Sequence, residues 1–252
     1  MLALLLLSAL SLQLYFVGRV ALMALVDPQS TSFQRSEAWR LLVEQHRIDW
    51  SQQWVDDQRI SAHLKRAVIA SEDAGFVEHS GVEWDALEAA WEKNQRAEAA
   101  AERRNAQLEK RAAAAKNPAA VAATRPKVTP KVVGGSTISQ QLAKNLFLSG
   151  ERTALRKAQE FVITFALEGL LGKRRILAIY LNNVEWGEGV FGAQAAARHY
   201  FRTDAAQLGP GAAARLAVML PAPKRFEKNP GSPYVAGRAA TIAARMGSVA
   251  LP

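Results

Sequence analysis

Residues 134–148 read GGSTISQQLAKNLFL, and the fold class turns on them. The glycine pair lets backbone approach a ligand closely. Ser136 or Thr137 then supplies a helix N-cap, and the spacing predicts a helix to about Leu148. Its first turn offers free N–H groups to an anion. Gln140 and Lys144 stand four residues apart on one face, where together they could hold a sugar hydroxyl and a phosphate. An ordinary capped surface helix would give the same pattern.

On the N-terminal side lies SEDAGFVEHSGVEWDAL, residues 71–87. Glu72, Asp73, Glu78 and His79 crowd around Phe76. The spacing fits an acid/base site, a metal site, or acids at a helix end with His79 capping a turn. Metal-binding helices favour paired histidines, which this stretch lacks. On the C-terminal side, RTALRKAQE (residues 152–160) gathers Arg152, Arg156, Lys157 and Glu160. An i,i+4 salt bridge between Arg156 and Glu160 is the plain reading.

Further out the chain reads as mainly α. Helical spacing is expected over 36–49, from Ile60 to Ser71, over 85–91, 153–171, 173–182, 193–201 and 211–220. Residues 97–116 are rich in helix formers but lack an apolar stripe wide enough to bury, so an exposed helix is expected. Residues 117–131 read as a flexible linker, which makes 95–131 a basic insert. Gly187, Gly189 and Gly192 mark a loop. Apart from perhaps one short hairpin, no strand alternation appears.

The 252 residues carry a net charge of +9 and no cysteine. A disulfide framework, a thiolate metal site and a cysteine nucleophile are thereby excluded. Ten Lys and Arg against four Glu lie between residues 92 and 131, a net +6. The charge is therefore local: a solvated insert, or a surface for anionic lipid or polymer. Residues 1–18 hold no charged side chain, and after Arg19 the apolar run continues to Val26. That is long enough for a transmembrane anchor over 1–26. A cleaved signal peptide is the rival, but no basic residue precedes Arg19 and no Ala-x-Ala site follows.

Taken in order, EDxxFxxHxG (72–81), GGSTISQQLAKN (134–145), RKxxE (156–160), KRRILAIYLNNVEWGEGVFGAQAAARHYF (173–201) and AARLAVMLPAPKRFEKNP (213–230) resemble the five motifs of the glycosyltransferase family 51 domain. That family comprises the peptidoglycan polymerases. The likeness spans roughly residues 55–235. With no Ser-x-x-Lys and no Lys-Thr-Gly, it is to the monofunctional biosynthetic type. One departure stands out: Ala178 occupies a position where the family often has Glu.

The resemblance implies a lysozyme-like glycosyltransferase domain over 27–252 with a smaller membrane-facing lobe, preceded by one transmembrane helix. It implies elongation of glycan strands from lipid II with inversion, releasing undecaprenyl diphosphate. Glu72 would be the catalytic base and Glu160 a second essential glutamate. Lys144, Arg152, Arg156 and Lys157 would face the diphosphate, and Ser136, Thr137, Gln140, Gln141 and Asn145 the substrate. Asp73, Phe76, His79 and Asn182 would shape the site. A divalent cation, Mg2+ or Mn2+, is implied, with Glu160 its candidate ligand, and no organic cofactor. Expected partners are lipid II, undecaprenyl-diphosphate-linked glycan, membrane lipids and other cell wall synthases or division proteins, but no nucleic acid. The expected location is the inner membrane, single-pass, with the catalytic domain in the periplasm. Two alternatives differ in class: a lytic transglycosylase or muramidase, and a membrane-tethered basic binding protein.

Overall fold

A computed structural model describes residues 1–113, 128–130, 134–151 and 153–252. The chain divides into two compact units, one of residues 1–82 with 137–252 and one of residues 83–136. Eleven α-helices appear among the described residues.

In the larger unit, α1 (Leu2–Leu22) is a 21-residue helix long and apolar enough to cross a membrane. Helix α2 (Ser32–Gln45) begins four residues earlier than its apolar spacing suggests. Thr31 and Gln34 form a capping box there, and left-handed His46 ends the helix. Helix α3 (Ala62–Glu72) is capped by Ser61 and buries Leu64, Ala67, Val68 and Ile69. It packs against α9 (Pro210–Met219) and α11 (Pro233–Arg245). That packing fixes where its last residue, Glu72, is delivered.

Helices α5 (Ile138–Phe147), α6 (Ala154–Leu170) and α7 (Lys173–Asn183) pack beside one another. Helix α8 (Ala193–Phe201) and the short α10 (Pro223–Phe226) complete the set. The glycine-marked loop is a hairpin. Strand β2 (Glu185–Gly187) runs antiparallel to β3 (Val190–Phe191), and β1 (Ser51–Gln52) joins β3 in parallel. Its turn needs Gly189, at φ +70°, because a Cβ would sit 1.9 Å from the Asp49 carbonyl oxygen.

In the smaller unit, the two helices expected over 85–91 and 97–116 are one, α4 (Trp84–Ala113). Residues 92–96 contain no Gly or Pro to separate them. Asn105 donates to the Val128 carbonyl (3.0 Å) and accepts from its N–H (2.9 Å), so the chain returns against α4. The rest of the expected linker, through residue 127 and at 131, lies outside the described residues.

Candidate active site

Glu72 ends α3, and the next residue turns out of the helix at φ −164°. One backbone break thus sends two adjacent carboxylates to different tasks. Asp73, buried at 4% exposure, accepts the Ile138 N–H at 2.9 Å and meets His79 Nε2 at 2.8 Å. His79 Nδ1 accepts the Gly81 N–H (3.1 Å), so its ring proton lies on Nε2 and is donated to Asp73. Asp73 therefore caps the N-terminus of α5, where a carboxylate is electrostatically favoured.

Glu72 faces another way. Its Oε2 accepts from Gln141 Nε2 at 3.0 Å, and Gln141 Oε1 accepts from the Tyr180 hydroxyl at 2.9 Å. An ionised carboxylate only accepts, so the amide nitrogen of Gln141 faces Glu72 and its oxygen is left to accept from the Tyr180 hydroxyl. Glu72 Oε1 has no hydrogen-bond partner among the described residues. Burial pushes the Glu72 carboxyl above its ordinary value, the Gln141 hydrogen bond opposes that, and the Asp73 charge adds to it. Burial beside Glu72 and Asp73 pushes Tyr180 well above the usual phenol range, so it stays a donor.

The GGSTISQQ stretch is mostly framework. Thr137 and Gln140 form a capping box, and Thr137 Oγ1 also donates to the Gly81 carbonyl at 2.6 Å. Gln140 is buried at 1% exposure while Lys144, four residues on, is exposed, and Gln141 is the residue that meets Glu72. Ser136 is exposed and Asn145 half-buried. Gly135 packs closely on α4, where a Cβ would lie 3.0 Å from Ala90 Cβ and 3.1 Å from the Ala86 carbonyl oxygen. Its small size serves a helix contact in the smaller unit.

Phe76, Asp73 and Thr137 are likewise buried, and His79 Nε2 meets Asp73. Phe76 lies under Lys173 Nζ, 4.6 Å from the ring centroid. Lys173 and Ser139 both reach Glu168, at 2.8 and 2.5 Å. Asn182 holds Val55 through its backbone N–H (2.9 Å) and carbonyl (3.0 Å).

On α6, whose N-cap is Thr153, the RKxxE residues form one cluster. Arg156 Nη1 lies 2.9 Å from Glu160 Oε2, and Lys157 Nζ pairs with Glu160 Oε1. Glu160 is buried, at 3% exposure. Both of its oxygens face cations, so this donor set does not fit a divalent metal ion. Arg156 Nε is buried with no hydrogen-bond acceptor among the described residues. Arg152 lies outside the described residues. Ala178 is buried and lines a cavity of about 320 Å³ with Trp54, Asp57, Arg174 and Arg175.

The transglycosylase family model matches residues 41–105 and 113–247. The chain belongs to the transglycosylase family. A biosynthetic peptidoglycan transglycosylase of Burkholderia thailandensis is 48% identical over 96% of this chain and 83% of its own length. Similar relatives of the same description occur in Paraburkholderia phytofirmans (46% identical, 96% of this chain, 88% of the relative) and Bordetella pertussis (46%, 97% and 90%). Within this transglycosylase, sequence reasoning missed Tyr180. It lies within the helix expected over 173–182, and nothing local signalled a hydroxyl aimed at Gln141.

Proposed function

We propose that this transglycosylase elongates the glycan strands of bacterial peptidoglycan from lipid II. Glu72 Oε1 takes the proton from the acceptor's 4-hydroxyl as that oxygen attacks the donor's anomeric carbon. The bond to the diphosphate breaks with its electron pair, the carbon inverts, and undecaprenyl diphosphate leaves. Gln141 and Tyr180 hold the base in line, and burial makes its carboxylate a stronger base than one in water.

Arg156, Lys157 and Lys144 stabilise the charge growing on the diphosphate, with Glu160 fixing the first two. A divalent cation would add charge neutralisation for the leaving diphosphate, but Glu160 would not hold it, because both of its oxygens are paired. The α1 helix, exposed along most of its length, fits a membrane anchor. The enzyme then works on the periplasmic side of the inner membrane, on lipid-linked substrates, beside other wall synthases.

The observation that carries this reading is Glu72, desolvated and held by one amide with its second oxygen open. A glycan-cleaving enzyme would also use an upward-shifted glutamate, as a proton donor. The two cations Arg156 and Lys157, set side by side on α6 by Glu160, favour synthesis, since cleavage has no diphosphate to hold. The test is to incubate full-length protein in detergent with lipid II, and separately with finished glycan. Polymer from the first with the second left intact is expected. Cleaved glycan with no polymer would reverse the assignment.

A further inference from the structure

Helix α1 is fixed to the catalytic unit along one stripe. Phe16, Val20 and Met23 are buried, while the surrounding leucines stay exposed. The Phe16 ring meets Phe147 edge-on at 5.4 Å. Beyond the helix end, Arg175 donates to the Met23 carbonyl (2.8 Å) and the Val26 carbonyl (3.2 Å) and pairs with Asp27 at 2.8 Å. One polar contact lies much deeper. Gln13 and Gln159 exchange both of their amide hydrogen bonds, at 2.8 and 2.9 Å. Gln13 sits nine residues before the end of α1, about 14 Å along the axis.

An apolar stripe alone permits rotation and sliding. A reciprocal amide pair permits neither, and without water to replace a lost partner each amide depends on the other. Gln159 adjoins Glu160, one turn from Arg156 on the same helix. We infer that Gln13 and Gln159 are positioning residues for glycosyl transfer. Their amide pair sets the depth and rotation of the anchor against α6, and so the height at which the Arg156–Lys157–Glu160 cluster meets a lipid-borne diphosphate. The inference rests on reading that cluster as the diphosphate holder.

The test uses full-length protein in liposomes with lipid II as substrate, comparing Gln13→Leu, Gln159→Leu and the double variant. Each single change should lower kcat/KM about tenfold, carried mainly by KM, with the double variant no worse than either single. Membrane retention and Tm should be kept, and Leu14→Ala, which alters an exposed anchor residue, should match wild type. Gln159→Leu keeps the anchor sequence intact, so it reads the pair even where Gln13→Leu disturbs insertion. Additive losses, or unchanged KM in both singles, would overturn the inference. Arg156→Lys separates the two layers. A raised KM there with wild-type behaviour at Gln13 and Gln159 leaves the diphosphate holder standing and removes the positioning role. An unmoved KM there removes the holder, and this inference with it.

Discussion

Gln141→Leu removes the amide donor that meets Glu72 while keeping the side chain's bulk. The hydrogen bond lost is 3.0 Å long, to a carboxylate that burial already disfavours as an anion. Such charge-assisted bonds contribute about 1.5–3 kcal/mol. The Gln141 bond lowers the Glu72 pKa, so its loss raises it. With about 1.4 kcal/mol per pH unit, the acid limb of the rate profile moves up by about 1 unit or more. Above that limb the proton-taking form returns but its direction is no longer held, so kcat should stay down by about tenfold or more. Tyr180, 1% exposed, loses its acceptor, which costs about 1–3 kcal/mol of stability. The assay is kcat/KM for lipid II polymerisation from pH 5 to 9, with Tm measured alongside. An acid limb that stays put or moves down would refute the reasoning, since it would mean that Gln141 does not favour the charged carboxylate.

Asp73→Asn should cost about 2–4 kcal/mol, read as a lowered Tm, because the amide cannot accept from both Ile138 N–H and His79. Arg156→Lys should raise KM for lipid II with little change in Tm, since lysine keeps a charge near Glu160 but not the fork geometry. Glu185 is pushed up to about 7 by burial and by Glu37 and Glu227, which outweigh Lys224 at 3.6 Å; that cation also serves Glu37. A carboxyl raised in the folded state supports stability at low pH and loses that support as pH rises through about 7. Glu185→Gln should therefore raise Tm at pH 8 and leave it unchanged at pH 5, as a thermal-melt series would show.

Helices with strong local signals were legible in the sequence, and so was the i,i+4 pairing of Arg156 with Glu160. What was lost follows from physics that acts between distant residues. Glu72 and Asp73 are neighbours of like chemistry, and only the end of α3 between them sends one carboxylate to Gln141 and the other to the N-terminus of α5. Gln140 reads as a ligand residue from the face it shares with Lys144, yet T-x-x-Q is equally a capping box, and Thr137 and Gln140 form one. Thr31 and Gln34 form the same box and start α2 before its apolar spacing begins. Tyr180 meets Gln141 across 39 residues, and Gln13 meets Gln159 across 146. No periodicity or local motif encodes such pairs; helix packing creates them.

The central claim is that Glu72 is the base that builds the strand. Glu72→Gln keeps the shape and can still bond to Gln141. It also removes a buried charge that the folded protein disfavours at neutral pH. The decisive measurement is lipid II polymerisation by the full-length variant at pH 7.5, with its Tm recorded in the same buffer. The account predicts a Tm at or above wild type and a rate lower by at least about a thousandfold. A well-folded Glu72→Gln protein that still makes polymer within tenfold of the wild-type rate would contradict it.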